Sequence, residues 1–189
     1  MIETSLRRKS NCGFFATVFV AILLGIAHTA CGQVVPSARA SGLSLSAGDS
    51  ISAFYLQYGA RKMGGLSTFV DLDTMRHWGL EAEGRFLVFN RTASVQDATL
   101  LMGPRYYFNV GQKFQPYAKG LVGPGFFTFA NNSSQGTYLV VAAGGGVEYH
   151  ITRRLHLRLA DIEYQDWPNF PTGAMSAFGV STGFRYTIF

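Results

Sequence analysis

Charged side chains recur at every second position in several stretches of this 189-residue chain, and they are the main candidates for chemistry. Ten of them fall on one face of their stretches: Asp71, Asp73, Glu81, Glu83, Arg85, Arg105, Lys119, Glu148, Arg158 and Arg185. An unpaired buried charge is costly, whereas carboxylates and guanidinium groups satisfy one another when they pair. We therefore expect a network of salt bridges inside the fold. It is either a static plug, which we favour, or a gated pore whose pairs change partners.

Histidines are the other candidates, because a histidine beside a serine and a carboxylate can activate a nucleophile. After residue 32 the chain contains His77, His150 and His156. All three fall at or beside predicted tight turns, and none falls in the longer loops described below. We therefore expect no catalytic site, no enzyme activity and no cofactor, and we interpret these histidines as turn residues.

Residues 1–32 have the composition of a cleavable export signal. Basic residues at 7–9 precede an apolar stretch over 14–27, which is shorter than the ~20 residues that a spanning helix needs. The small residues Ala-Cys-Gly at 30–32 predict cleavage before Gln33.

The two cysteines of the chain, Cys12 and Cys31, both lie in this signal. Lipidation of Cys31 is an alternative to plain cleavage before Gln33, although the aliphatic residue usual three positions earlier is missing. Cleavage before Gln33 removes both thiols, so we expect no disulfide and no metal site.

The composition differs from that of an ordinary soluble domain. Only 14% of the residues are charged, against ~25% in typical globular chains, while 48% are hydrophobic, 14% are aromatic and 22 residues are glycine. Such a chain must cover its apolar surface in a soluble core or in lipid. The net charge of +5 does not indicate nucleic-acid binding, because the basic residues are scattered and form no face interleaved with aromatics.

Eight runs of strand-forming residues follow an irregular lead over residues 33–42. The runs are 45–58, 64–74, 79–90, 99–109, 115–128, 138–150, 155–166 and 176–189. They match or exceed the ~9–11 residues of a tilted transmembrane strand, whereas strands of soluble proteins average ~5–6. Tight turns alternate with mostly longer loops, the pattern of outer-membrane barrels with both termini on the periplasmic side.

The composition of the two faces of each run predicts that the apolar side chains lie on the outside of the barrel. One face is apolar, and the other carries glycine, serine and isolated charges of both signs, which suits a crowded interior better than a water-exposed surface. Eight strands enclose a lumen just wide enough for side chains to fill. The sequence therefore predicts an all-β protein, an eight-stranded antiparallel up-and-down transmembrane β-barrel over residues 43–189. A soluble lipocalin-like ligand-binding barrel is the alternative.

Aromatic residues near the ends of the runs fit the girdles of such a barrel at the membrane interfaces. They are Tyr55, Tyr58, Trp78, Phe89, Tyr106, Phe108, Tyr149 and Trp167.

The seventh run, 155–166, breaks the alternation. Asp161 and Glu163 fall on the same face as its leucines. A β-bulge near Ala160 would turn both carboxylates inward. Alternatively, they lie above the lipid at the outer rim, and the sequence leaves both arrangements open.

Residues 101–121 (LMGPRYYFNVGQKFQPYAKGL) join a Gly-Pro-Arg-Tyr strand through a tight turn to a Pro-Tyr-Ala strand. Together with residues 79–84 and 144–149, this stretch resembles the barrel domain of the outer-membrane protein A-like and opacity-type surface proteins. The resemblance covers residues 43–189 and implies a bacterial outer-membrane location, a surround of outer-membrane lipid and delivery by the outer-membrane assembly machinery.

The aromatic C-terminus is implied by this resemblance to be the signal for that machinery. The residues concerned are Phe184, Tyr186, Ile188 and Phe189, of which Phe189 is out of phase with the apolar face. We expect a monomeric, non-enzymatic outer-membrane barrel with a structural or surface-interaction role and an unidentified surface ligand. The alternatives are a narrow gated pore for small solutes and the soluble barrel.

Overall fold

The computed structural model describes residues 42–57, 61–74, 77–88, 96–108, 110–111, 113–128, 135–169 and 175–189. In this part of the chain eight strands form: β1 (Leu43–Leu56), β2 (Arg61–Thr74), β3 (Trp78–Val88), β4 (Gln96–Tyr107), β5 (Phe114–Thr128), β6 (Gln135–His150), β7 (Leu155–Trp167) and β8 (Met175–Thr187). The predicted runs differ from these strands by at most three residues at any end. Within the described ranges, no helix has the length and apolarity to span a membrane.

Each strand pairs antiparallel with the next, and β1 pairs with β8 to close the barrel. Ser46 lies opposite Thr187 and Leu56 opposite Ala177 across this seam. Closure leaves no unpaired sheet edge, and an unpaired backbone group in a bilayer costs several kcal/mol. The predicted antiparallel up-and-down barrel is confirmed.

The two ends of the barrel differ. The start of β1, the end of β8 and the connections β2–β3, β4–β5 and β6–β7 share one end, which we call the terminal end. The connections β1–β2, β3–β4, β5–β6 and β7–β8 share the other, the loop end. The turn at the terminal end between β6 and β7 is tight, since Ile151 N donates to Leu155 O at 3.1 Å and Leu155 N to Thr152 Oγ1 at 3.0 Å.

The outer surface is apolar around the barrel. Its exposed large side chains include Ile51, Leu66, Val70, Leu80, Phe86, Leu100, Met102, Val122, Phe126, Val141, Ile162, Phe178, Val180 and Phe184. A continuous apolar patch of this extent is a liability in water, whereas a lipid-facing barrel requires one. This arrangement favours the membrane barrel over the soluble alternative.

Aromatic side chains collect on the outer surface near the terminal end, as predicted. The rings of Trp78 and Phe108 each lie edge-on to Tyr106, with centroids 5.0 Å apart in both pairs. Tyr58 and Phe89, which were assigned to the same girdles, lie outside the described residues.

A β-bulge in β7 settles the position of Asp161 and Glu163. Ala160 pairs with Val147 of β6, but the next pair is Arg158 with Glu148, so one residue of β7 is left over. The extra residue shifts the side-chain phase. Asp161 and Glu163 therefore point into the barrel, with 2% and 1% of their surface exposed.

Trp167 is a correction to the sequence prediction. It was assigned to an interfacial girdle, but its side chain is fully buried inside the barrel. The same bulge explains the error, because the phase shift brings residues 161, 163, 165 and 167 to the inner face.

The predicted signal over residues 1–32, its cleavage site before Gln33 and Cys31 lie outside the described residues. The irregular lead over 33–42 also lies outside them, except for Gly42, whose φ of 72° precedes β1.

Candidate functional site

All ten charged residues that the alternation assigned to the interior point into the barrel. Nine of them have 5% or less of their surface exposed, and the side chain of Asp73 is 14% exposed. Asp161 and Glu163 join them. We call these twelve residues the charge network: Asp71, Asp73, Glu81, Glu83, Arg85, Arg105, Lys119, Glu148, Arg158, Asp161, Glu163 and Arg185.

Arg105 lies at the centre of the charge network, near the end of β4. Its Nη1 donates to Asp71 Oδ2 and Glu81 Oε2, both at 2.8 Å, and its Nη2 donates to Glu148 Oε1. These acceptors come from β2, β3 and β6, so one guanidinium group joins four strands. Neither Arg105 nor any of these three carboxylates is exposed.

Lys119 of β5 has the most crowded surroundings. Its Nζ lies 3.0 Å from Glu81 Oε1, 3.1 Å from Glu83 Oε2, 2.7 Å from Asp161 Oδ2 and 3.0 Å from Glu163 Oε2. An ammonium group has three donors, so four carboxylate oxygens share them. This one cation compensates charges from both β3 and β7.

Arg158 connects the carboxylates around Arg105 with those around Lys119. Its Nη2 lies 3.2 Å from Glu81 Oε2 and its Nη1 lies 3.2 Å from Asp161 Oδ2. Residues three apart in a regular strand face opposite sides. The bulge brings Arg158 and Asp161 to the same side and makes this pair geometrically feasible.

Arg85 and Arg185 extend the charge network in opposite directions. Arg85 Nη2 and Nη1 lie 2.6 Å from Glu83 Oε1 and Glu163 Oε1, toward the loop end. Arg185 Nη1 lies 2.8 Å from Asp73 Oδ2, toward the terminal end, while its Nη2 lies 2.9 Å from Glu148 Oε2.

Aromatic rings on the inner face cover the arginines. The guanidinium carbon of Arg105 lies 3.7 Å from the ring centroid of Tyr117, and that of Arg158 lies 3.6 Å from the centroid of Phe69. Arg85 lies 4.4 Å from the Phe54 ring. Cation–π contacts are strongest where water is excluded, so these rings stabilise the charges while they fill space.

The loop end of the lumen is filled by an apolar layer that the sequence analysis did not identify. Its buried residues are Phe54, Leu56, Met63, Leu87, Leu101, Leu121, Phe127, Val140, Ala142, Trp167, Met175 and Ala177. Glycines make room for the largest rings: a Cβ on Gly125 would overlap the Trp167 indole, and one on Gly179 would overlap the Phe54 ring. The sequence did contain a signal for this layer: Leu87 and Leu101 lie on the same face of β3 and β4 as the charged residues of those strands.

Asp97 is a second residue that the sequence analysis missed. It lies near the start of β4 beside this apolar layer, with 2% of its surface exposed, and its register partners are Leu87 and Phe127. Its Oδ1 has no hydrogen-bond partner among the described residues, and no ion pair is recorded for it there.

The histidines all lie toward the terminal end, as predicted, but His156 is not a simple turn residue. It is 8% exposed and faces the lumen, where its Nδ1 lies 3.4 Å from Arg185 Nη2. The His150 ring packs edge-on to it, with centroids 4.3 Å apart, and His150 Nε2 lies 2.9 Å from Gln115 Oε1. Among the described residues, no group of three or more His, Cys, Asp or Glu side chains could hold a metal ion.

A family profile described as "Outer membrane protein beta-barrel domain" matches residues 17–186. The chain belongs to this family. The protein is thus a transmembrane β-barrel of the bacterial outer membrane. The resemblance to outer-membrane barrels inferred from residues 101–121 is confirmed at the level of the family.

Solved structures agree with this fold. Neisserial surface protein A is 14% identical, with 77% of this chain and 97% of that chain covered and a TM-score of 0.65. OprG from Pseudomonas aeruginosa is 15% identical, with 78% and 96% covered and a TM-score of 0.51. The outer membrane enzyme PagL is 10% identical, with 72% and 97% covered and a TM-score of 0.50. No curated protein sequence matches the chain significantly.

Proposed function

We propose that this protein is a non-enzymatic outer-membrane barrel with a structural or surface-interaction role and a lumen that is closed to solutes. The observation that carries the proposal is that two successive layers fill the lumen. The apolar layer occupies the loop end with side chains no more than 3% exposed, and the charge network occupies the middle. A solute entering the barrel would have to displace both.

The charge network favours a static plug over a gate. Arg105 and Lys119 each contact three or four carboxylates from different strands. Breaking a buried pair leaves an uncompensated charge, which costs about 3–5 kcal/mol. Exchange of partners would break several such contacts at once, and this cost opposes frequent opening.

The histidine geometry supports a non-enzymatic role. A catalytic histidine must accept a proton from a nearby nucleophile. His156 Nδ1 faces a guanidinium N–H of Arg185, and its Nε2 has no hydrogen-bond partner in the part of the chain that the structure describes. His156 therefore holds no hydroxyl in a position for activation.

Recordings in planar lipid bilayers test the closed lumen. We expect wild-type protein to give no reproducible conductance steps. Reproducible steps that change in size when Arg105 is replaced by alanine would instead establish the gated pore, because only a conducting path through the lumen would sense that side chain. Arg154→Ala, in the exposed turn between β6 and β7, removes the same charge outside the charge network and is the matched control.

A further inference from the structure

A polar cavity of about 340 Å³ opens at the terminal end of the lumen, below the charge network. We call it the vestibule. Residues from six strands and two turns line it, among them Ser44, Asp73, Gln115, Arg153, His156 and Arg185. It has room for about ten water molecules or one small organic anion.

His156 lines the vestibule and carries a buried hydrogen-bond donor that no described residue satisfies. Its Nδ1 lies 3.4 Å from Arg185 Nη2, and a guanidinium group can only donate. Nδ1 must therefore accept, which places the proton of the neutral imidazole on Nε2. His156 Nε2 is buried and has no partner among the described residues, so a donor lacks an acceptor there.

Two arginines line the same space. Arg185, whose Nη atoms pair with Asp73 and Glu148, has no partner for its Nε among the described residues, and Arg153 lines the vestibule from the exposed turn after β6. Asp73 is the carboxylate in the lining. Its Oδ2 already accepts from Arg185 Nη1 at 2.8 Å and from the Tyr107 hydroxyl at 3.1 Å. Its Oδ1 is buried beside Gly79 and has no hydrogen-bond partner among the described residues.

We propose that the vestibule binds a small oxyanion, of the phosphate or carboxylate class, which accepts from His156 Nε2 and is held by Arg153 and Arg185. The oxyanion supplies the acceptor that the buried imidazole lacks. Hydrogen bonds from charged donors to oxyanions are short and strong. This site does not depend on whether the lumen conducts.

The test uses the full chain, folded in maltoside micelles and labelled with 15N-histidine, with inorganic phosphate as the probe. We expect a saturable shift of the His156 Nε2 resonance, assigned by its loss in His156→Gln, and saturable broadening of the 31P signal. Sodium chloride at equal ionic strength should produce neither effect. Absence of saturation with phosphate would overturn the proposal.

Two neighbouring arginines provide the matched variants. Arg153→Ala should raise the Kd for phosphate about tenfold, which corresponds to losing one hydrogen bond to a charged group. Arg154→Ala removes the same charge from the same turn but does not line the vestibule, and should leave the Kd nearly unchanged. Equal weakening in both variants would overturn the proposal, since it would indicate general charge attraction.

Phosphate can come from free solute or from a lipid headgroup. The His156 shift in maltoside with added phosphate supports a site for a free oxyanion. The same shift in phosphatidylglycerol vesicles without added phosphate supports the same site with a headgroup as its occupant. If Arg153→Ala fails to fold, the wild-type comparison of phosphate with chloride still decides.

Discussion

Arg158 and Asp161 lie three residues apart in β7 and form an ion pair of 3.2 Å inside the lumen. The bulge between them turns both side chains inward. Where the bulge interrupts the pairing with β8, the hydroxyl of Thr182 on that strand donates to Arg158 O at 2.9 Å. The bulge also directs Glu163, Gln165 and Trp167 inward. One extra residue thus supplies part of the charge network and part of the apolar layer.

Deleting Ala160 tests this role of the bulge. Removal of the extra residue leaves Arg158 and Asp161 two positions apart, so regular alternation keeps the side chains of Asp161, Glu163 and Trp167 in the lumen without a bulge. We therefore expect the variant to keep the heat-modifiable gel migration of a folded barrel. A control that deletes Val180, in the regular strand β8, turns the inner face of half that strand toward lipid and should lose this migration. Loss of folding in the Ala160 deletion would contradict the account.

Lys119→Met tests the compensation of the four carboxylates around its ammonium group. We expect the free energy of unfolding to fall by about 3–5 kcal/mol, the cost of breaking a buried ion pair by removing one partner. Urea titration of the barrel in lipid vesicles measures the change. Lys62→Met, an exposed lysine in β2, should change stability by no more than about 0.5 kcal/mol. Similar effects of the two substitutions would show that Lys119 is not structurally important.

Asp97→Asn should behave in the opposite way. This buried carboxyl forms no ion pair with a described residue, and its attraction to the more distant Arg85 is smaller than its cost of burial, so neutralising it removes more desolvation cost than attraction. We expect unchanged or increased stability in the same urea titration. Glu81→Gln, which neutralises a carboxylate bound by Arg105, Lys119 and Arg158, should be clearly destabilising. Destabilisation by Asp97→Asn would mean that the attraction to Arg85 outweighs the cost of burying the carboxylate.

Asp49 is an unusual residue of the outer surface. It is the seventh of the fourteen residues of β1 and is exposed, and Thr68 Oγ1 donates to its Oδ1 at 2.6 Å. A lipid-facing charge near the bilayer midplane is unfavourable, by ~2–4 kcal/mol for Arg or Lys and by less for Asp.

Asp49→Leu should therefore raise the free energy of unfolding in vesicles by roughly 1 kcal/mol. Thr68→Val, which removes the hydroxyl that donates to this carboxylate, should lower the free energy of unfolding. Destabilisation by Asp49→Leu would indicate that Asp49 does not face lipid.

The sequence predicted the barrel because apolar and polar residues alternate visibly wherever the two faces of a strand differ in polarity. Asp71 and Glu81 could be assigned to the interior, since their strands carry charge on one face and apolar side chains on the other. Toward the loop end this contrast disappears. Leu87 and Leu101 point inward while their neighbours Phe86 and Leu100 are exposed, so both faces are apolar and the alternation carries no signal.

The partners within the charge network were less predictable than its members. Lys119 meets Glu163 and Asp161 through the closed shape of the barrel, although some forty residues separate them in sequence. A single sequence does not reveal which residues of distant strands lie close together in space. The bulge was recognised as one of two options for Asp161 and Glu163, and Trp167 was assigned to the wrong face because the phase shift was not carried forward to it.

Two neighbouring residues of β8 allow the most direct test of a lipid-facing barrel with a filled lumen. Val180 is 44% exposed on the outer face, and Ser181 is 4% exposed on the inner face. Each would be replaced by cysteine in a chain whose Cys12 and Cys31 are changed to alanine, folded in lipid vesicles and treated with a water-soluble maleimide. Arg154→Cys, in an exposed turn, serves as the reactive control.

We predict slow labelling at both 180 and 181, the first shielded by lipid and the second by the filled lumen, and fast labelling of both after unfolding. Labelling of Val180→Cys as fast as the control would contradict the membrane-facing exterior, and fast labelling of Ser181→Cys would contradict the closed lumen.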